Sequence, residues 1–380
     1  MKVRKLAVLC SAAVVLFSQA AQADINVGVS LSSTGPGASL GIPEKNAFAI
    51  LPTSVAGEKI NYIMLDDASD PSIATKNARK LVSEDNVDVL VGSAITPASL
   101  AIAEMAFESK TPQIAISPIN LPPEKNHWVF RTPQHVNVMA SALVGHMKAN
   151  GVKTLGFIGF SDAYGEDWLV ALKPMLAEAG IKLGAVERYN RADTSVTGQV
   201  LKLVSTRPDA ILVVGSGSPA ALPQTSLVER GFKGRIYQTH AAANQAFLGV
   251  AGKSANGVVL PVGPVVVVDQ IPAVHPSKKA GETFVSQYEQ KYGAGSFSSF
   301  AGHAHDAFRL IEAAVPVALK TAKPGTPAFR MALRDAMESN QDVVGVHGVF
   351  NMTPTDHFGL DQRGRVLVRV ENGAYKLLAQ

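Results

Sequence analysis

His303-Ala304-His305-Asp306 brings two imidazoles and a carboxylate together, the composition of a metal site. On a helix, residues two apart point away from each other, and metal-binding pairs sit at i and i+4. The stretch reads better as polar positions on a packed helix, with no metal. Asp356-His357 suggests acid–base chemistry, but no nucleophile with a third orienting group is identifiable nearby, so a structural or hinge role is expected. Gly215-Ser216-Gly217-Ser218 lacks the third glycine of a dinucleotide fingerprint. It is better suited to letting a small molecule approach the backbone at a strand end, around Gly217. No Walker motif occurs, and no cofactor is expected.

The anion-binding stretch is Thr96-Pro97. Proline suits the first position of a helix, and a helix N-terminus presents N–H groups and a positive dipole end to negative charge. Thr96 can add a hydroxyl, or it can simply cap the helix. Ser117, ending an apolar run and followed by Pro118-Ile119-Asn120, is a second hydroxyl at a strand end. Tyr164 opens a helical stretch and offers apolar area with one hydroxyl; its alternative is a core or surface tyrosine.

The ends and totals set the compartment. Lys2, Arg4 and Lys5 precede an apolar run from Leu6 to Phe17, and Ala21-Gln22-Ala23 is an A-x-A cleavage pattern. About twelve apolar residues fall short of the roughly 20 that a spanning helix needs. Residues 1–23 are therefore read as a cleavable signal peptide, with Asp24 as the mature start and the periplasm as destination. The one cysteine, Cys10, lies inside the signal, so no disulfide is expected in the mature chain. Removing three basic residues takes 35 Lys+Arg against 31 Asp+Glu to 32 against 31, a net charge near +1. That near-neutral surface gives no reason to expect nucleic acid or an anionic membrane as partner. Some 380 − 23 = 357 residues remain, enough for two cores.

The elements that must position these residues alternate strand and helix. Strands are read over 25–31, 60–65, 87–91 and 113–116, with helices over 44–51, 71–84 and 97–109. A second series begins after Arg131, with strands over 154–160, 183–189, 210–214 and 235–238 and helices over 136–149, 164–179, 196–205 and 221–230. Continuously apolar strands such as Ile211-Leu212-Val213-Val214 suit sheets covered on both faces. The fold class expected is α/β: two doubly wound, parallel-sheet lobes joined by three crossovers. Helices over 277–292, 300–319 and 327–338 return to the first lobe, and Glu371-Asn372-Gly373 turns a hairpin that closes the second. Lobe 1 is thus 24–131 with 264–347, and lobe 2 is 132–263 with 348–380. Crossings fall near 131–134, 258–262 and 348–356.

Specific residues narrow the family. The opening Ile25-Asn26-Val27-Gly28-Val29-Ser30-Leu31-Ser32-Ser33-Thr34-Gly35 resembles the first strand and ligand loop of type I periplasmic solute-binding proteins of ABC importers. Asp66-Asp67-Ala68-Ser69-Asp70-Pro71, Gly92-Ser93-Ala94-Ile95-Thr96 and Tyr164-Gly165-Glu166 are similar, in order and spacing, to elements of the leucine/isoleucine/valine-binding branch. The resemblance runs from about Asp24 to the C-terminus. It implies a non-enzymatic clamp that closes over its ligand and serves separate ABC permease and ATPase subunits in the inner membrane, with no stable oligomer. It places ligand contacts at Ser33, Ser93, Thr96, Ser117, Ile119, Asn120, Tyr164, Gly217 and His240. Leu121 stands where the family supplies a hydroxyl.

In amino-acid binders of this branch an acidic residue near position 240 pairs with the ligand's ammonium. Here there is His240 and no carboxylate from Ile236 through Phe247. An imidazole suits a hydroxyl, a keto group or a second carboxylate instead. The expected ligand is a small aromatic or aliphatic carboxylic acid, with branched-chain amino acids as the alternative. An exported ligand sensor of the same fold is the alternative function.

Overall fold

The computed structural model describes residues 24–378; the signal read over 1–23, with Cys10, lies outside them. The chain begins with β1 (Ile25–Leu31), α1 (Ala38–Phe48), β2 (Ser54–Val55), β3 (Glu58–Asp66), α2 (Pro71–Ser83), β4 (Val89–Gly92), α3 (Thr96–Ser109), β5 (Gln113–Ala115), α4 (Pro123–Asn126) and β6 (Val129–Arg131). These strands make one sheet in the order β2-β3-β1-β4-β5-β6, parallel except at β2.

A second series follows: α5 (Val136–Ala149), β7 (Thr154–Phe160), α6 (Ala163–Ala179), β8 (Lys182–Tyr189), α7 (Thr197–Ser205), β9 (Ala210–Val214), α8 (Ala221–Glu229), β10 (Arg235–Gln238), α9 (Gln245–Ala251) and β11 (Val259–Val262). Then come α10 (Lys278–Tyr292), α11 (Ser299–Ala318) and α12 (Pro327–Ser339), the short pair β12 (Val343–Val344) and β13 (Val349–Phe350), and finally β14 (Val366–Glu371) and β15 (Ala374–Leu377). The second sheet runs β15-β14-β11-β10-β9-β7-β8, with β14 and β15 antiparallel. The α/β double winding expected from the alternation is the fold the chain adopts.

Burial explains the arrangement. Every residue of β9 and of β4 is buried, as strands covered on both faces must be. One core joins the first sheet to Phe284, Phe308, Ile311 and Phe329 of α10–α12. A separate core joins the second sheet to Leu143, Trp168 and Leu172 of α5 and α6. At the end of the chain, Asn372 and Gly373 both take positive φ (51° and 75°), the geometry of a two-residue hairpin turn.

Three expectations need correcting. The helix read over 44–51 starts earlier, at Ala38, and runs through Pro43. Residues 258–262, read as a crossing, are mostly β11, paired with β10 and β14, so the chain leaves the second sheet only at Gly263. Residues 348–356, read as a crossing into the second lobe, stay with the first core, because Phe350, Met352 and Leu360 pack there.

In each sheet the winding reverses beside a central strand, between β1 and β4 and between β7 and β9. The crevice outside the carboxyl ends at such a reversal is where open α/β sheets bind ligands. Close helix–strand approach shapes it: a Cβ on Gly165, in the first turn of α6, would lie 1.9 Å from the Phe160 carbonyl oxygen at the end of β7. Gly165→Ala should therefore cost about 1–3 kcal/mol of stability, read by urea denaturation; an unchanged midpoint would contradict this packing.

Candidate functional site

Loops from the carboxyl ends of both sheets meet around one small cavity. The first sheet contributes Thr96 at the start of α3 and Ser117 after β5; the second contributes Tyr164 at the start of α6, Arg191 after β8, Ser216 after β9 and His240 after β10. Leu40 of α1 and Phe300 and His303 of α11 complete the wall. The void is about 20 Å³, room for a single water, which needs about 10–15 Å³ by the same measure.

The two halves touch directly around it. Ser218 N donates to Ser39 Oγ at 3.2 Å, and Ser299 Oγ donates to the Ala243 carbonyl at 2.9 Å. A side-chain hydrogen bond also joins Asn120 to Asp167. A solute larger than water enters only if these contacts part.

Of the nine residues expected at the site, the cavity gathers Thr96, Ser117, Tyr164 and His240. Thr96 is the first residue of α3 and does not cap it; the cap position is Ile95, which makes no side-chain cap bond. The Thr96 hydroxyl donates instead to the Pro118 carbonyl at 3.1 Å. Ser117 Oγ donates to Ser99 Oγ at 2.8 Å, and Tyr164 Oη donates to Thr239 Oγ1 at 2.8 Å. These hydroxyl protons are used inside the protein, so a bound anion depends on the uncapped α3 N-terminus and on a charged group elsewhere.

The other five residues serve the frame. Ser93 and Ser32 donate to the buried Asp67 carboxylate at 2.6 and 2.7 Å, with Ser30 at 3.2 Å, a knot that pins the loops after β1 and β4 together. Ser33 N donates to Asp66 Oδ1 at 3.0 Å. Ile119 is buried, with its carbonyl taken by Arg131 Nε at 3.1 Å, and Asn120 is exposed at the mouth of a neighbouring cavity. Gly217 has φ +56°, its N–H is given to the Ala241 carbonyl, and a Cβ there would lie 2.1 Å from Ser39 Oγ. Glycine at 217 thus permits contact between the halves, whereas Ser216 beside it faces the cavity.

Arg191, Phe300 and His303 are the residues sequence reasoning missed. Arg191 Nε donates to Asp162 and one terminal nitrogen to Ser216 Oγ at 2.8 Å, with the guanidinium stacked over Phe160. Its signal was position alone, immediately beyond a strand's carboxyl end. His303 was read as one of several packed polar positions. It instead faces the cavity, while His305 turns to Asp306. Among the described residues no group of three or more metal-ligating side chains converges. His357 is structural: its Nδ1 lies 3.0 Å from the Val129 carbonyl and its ring stacks on Phe130.

Electrostatically the cavity is unusual. Burial, then His347, pushes the His240 imidazole down to about 3. Burial likewise holds His303 well below its ordinary value, so both rings are neutral at physiological pH. Nδ1 of each is buried without a hydrogen-bond partner. A backbone hydrogen bond ties His303 to Thr132, while its Nδ1 has no partner. Arg191 therefore carries the only formal charge among the residues lining the cavity.

Behind the serine knot, Glu44 is fully buried with both oxygens unpartnered. Burial, reinforced by Asp67, raises its carboxyl well above the usual range. A proton held more tightly folded than unfolded stabilises below the unfolded value, and that stability is lost as pH rises through the folded one. Glu44→Gln, permanently neutral, should thus gain in Tm relative to the parent as pH goes from 4.5 to 8. A Tm difference independent of pH would contradict a neutral Glu44.

The chain matches the periplasmic binding protein family over residues 24–374. An extracellular ligand-binding receptor from Rhodopseudomonas palustris is 49% identical, with TM-score 0.92, covering 94% of this chain and 99% of that one. The Leu/Ile/Val-binding protein homolog 1 of Brucella abortus (strain 2308) is 27% identical over 271 residues, 67% of this chain and 70% of its own length. An ABC-transporter solute-binding protein of Rhodopseudomonas palustris BisB5, solved with 3,4-dihydroxybenzoic acid, shares the fold at 23% identity and TM-score 0.77, covering 93% and 95% of the two chains. Two wound sheets facing each other across a small cavity, and a family match along nearly the whole described chain, identify this protein as a member of the periplasmic binding protein family, in the leucine/isoleucine/valine-binding branch, which binds small solutes and is not an enzyme.

Proposed function

We propose that this protein is the exported receptor of an ABC importer and that it captures a small carboxylic acid between two lobes. One observation carries the ligand reading: the cavity wall holds a guanidinium, Arg191, and no carboxylate. An α-amino acid would bury an ammonium with no counter-charge, at a cost of several kcal/mol. A carboxylate gains Arg191 and the open N-terminus of α3. The faces of Tyr164 and Phe300 suit a flat or apolar body. The far end meets His240 and the bare Nδ1 of His303, which favour a hydroxyl over a methyl group. The relative solved with a dihydroxybenzoic acid supports an acid of this kind.

The lobes divide as 24–132 with 264–360, and 133–263 with 361–378, and the chain bends where it passes between them. Ligand settles on one lobe and the other closes. The closed form is what ABC permease and ATPase subunits would distinguish from the empty one. The proposed export route is the signal over 1–23.

Titration calorimetry with leucine, valine, benzoate, 4-hydroxybenzoate and cinnamate tests the reading. At least one acid should bind and leucine should not; tight leucine binding with no response to the acids would overturn it. Arg191→Met should weaken the acid about tenfold to a hundredfold, the worth of a charge-assisted hydrogen bond. Because both imidazoles stay neutral, affinity should be flat between pH 6 and 8. A tenfold change across that range would mean that a cavity histidine titrates there.

A further inference from the structure

His303 does not stand alone. Its ring stacks face to face on His347, with centroids 3.9 Å apart and planes 8° from parallel. His347 is 1% exposed and lies outside the ligand cavity, in the loop between β12 and β13. Asp306, one helical turn beyond His303 on α11, holds that loop with both oxygens. Oδ1 accepts from Val346 N at 2.7 Å; Oδ2 accepts from His347 N and from His347 Nδ1, each at 3.0 Å. The backbone makes room for this: a Cβ on Gly302 would lie 2.6 Å from His347 Cε1, and one on Gly345 would lie 2.5 Å from Asp306 Oδ1.

The other side of His347 meets the places where the chain passes between the sheets. Gln134 follows β6 of the first sheet, Gly263 follows β11 of the second, and Gly364 precedes β14 of the second. Gln134 Nε2 donates to the Gly364 carbonyl at 2.6 Å. A Cβ on Gly263 would lie 2.3 Å from His347 Cδ2 and 3.1 Å from Gln134 Nε2; one on Gly364 would lie 3.0 Å from the His347 carbonyl oxygen. His303 also bonds the Thr132 backbone, beside the first of these passages. The His347 ring therefore lies between a cavity-lining ring and Gly263, its carbonyl lies beside Gly364, and Gln134 reaches both glycines.

We infer that His347, held by Asp306, is a positioning residue for ligand capture: it fixes His303 toward the cavity and ties that ring to the passage at Gly263, and through its carbonyl and Gln134 to the other two. The inference rests on the cavity being the ligand site. A ligand that engages Nδ1 of His303 then loads a stack whose far side is the hinge. Filling the cavity and setting the hinge angle become one event, because a flat ring packed on both sides does not shift alone.

A double-mutant cycle reads this role, using whichever of benzoate, 4-hydroxybenzoate and cinnamate binds the parent best. Supporting residues one step from a ligand contact are typically worth tenfold to a hundredfold in affinity, so His347→Ala should weaken Kd about tenfold, and His303→Ala about as much. Acting through His303, His347→Ala should add no more than about twofold in the His303→Ala background. His347→Ala binding within twofold of the parent, or losses that multiply in the double variant, would overturn the inference. If His347→Ala does not fold, His347→Phe, which keeps a flat ring but loses the donor to Asp306, takes its place in the same cycle.

Hydrogen exchange on the ligand-free protein separates this from the ligand reading. The His347 variant should speed exchange at 132–134, 263–265 and 363–365 together, and unchanged exchange there would overturn the inference. A parent that binds none of the acids, with exchange rising at all three segments, would sink the ligand reading and leave the hinge role standing.

Discussion

Desolvation is the constraint on which the rest of this structure depends. The two sheets meet over a void with room for one water, so each polar atom facing it is satisfied by the protein or awaits a solute. That condition settles the charge states. Burial keeps His240 and His303 neutral there, whereas the Arg191 guanidinium is met by Asp162 and Ser216 and lies over Phe160. The proposed sign of the ligand rests on the same condition. The hydroxyls that looked free in the sequence are spent on neighbours; facing the void are the Arg191 guanidinium, already paired with Asp162 and Ser216, the N-terminus of α3 and two neutral ring nitrogens without partners.

The same reasoning separates what the sequence made legible from what it hid. Strands 154–160 and 210–214 were readable to the residue, because a strand covered on both faces is almost wholly apolar and is bounded by polar turns. The hairpin at Asn372-Gly373 was readable because few residues accept positive φ in succession. Tyr164 and His240, expected from the family resemblance, both line the cavity. Arg191 was not expected, because Asn190-Arg191-Ala192-Asp193 looks like a solvated loop until Asp162, Ser216 and Phe160 gather round the guanidinium. His303 was masked by α11, a helix buried on nearly every face, where polar residues give no amphipathic stripe to interpret. The third passage was misplaced because Phe350, Met352 and Leu360 return to a core formed by residues far away in sequence.

Positions that looked like ligand contacts turned out to be the frame that holds such contacts in place. Ser93 and Ser32 converge on Asp67, and Gly217 meets Ser39 across the closure. A loop serine and a loop glycine carry the same letters whether they touch a solute, a buried carboxylate or the opposing lobe, and only three-dimensional placement separates them. The fold is shared with a relative at 23% identity, so architecture does not specify a solute. The few side chains that face the void do.

The central claim is that a clamp drawn together on so small a void must open to admit an acid and close again around it. Small-angle X-ray scattering of the protein with and without a saturating bound acid tests this most directly. The account predicts a smaller radius of gyration and a shorter maximum dimension with the acid present. Superimposable scattering curves, with calorimetry showing the same acid bound, would contradict it.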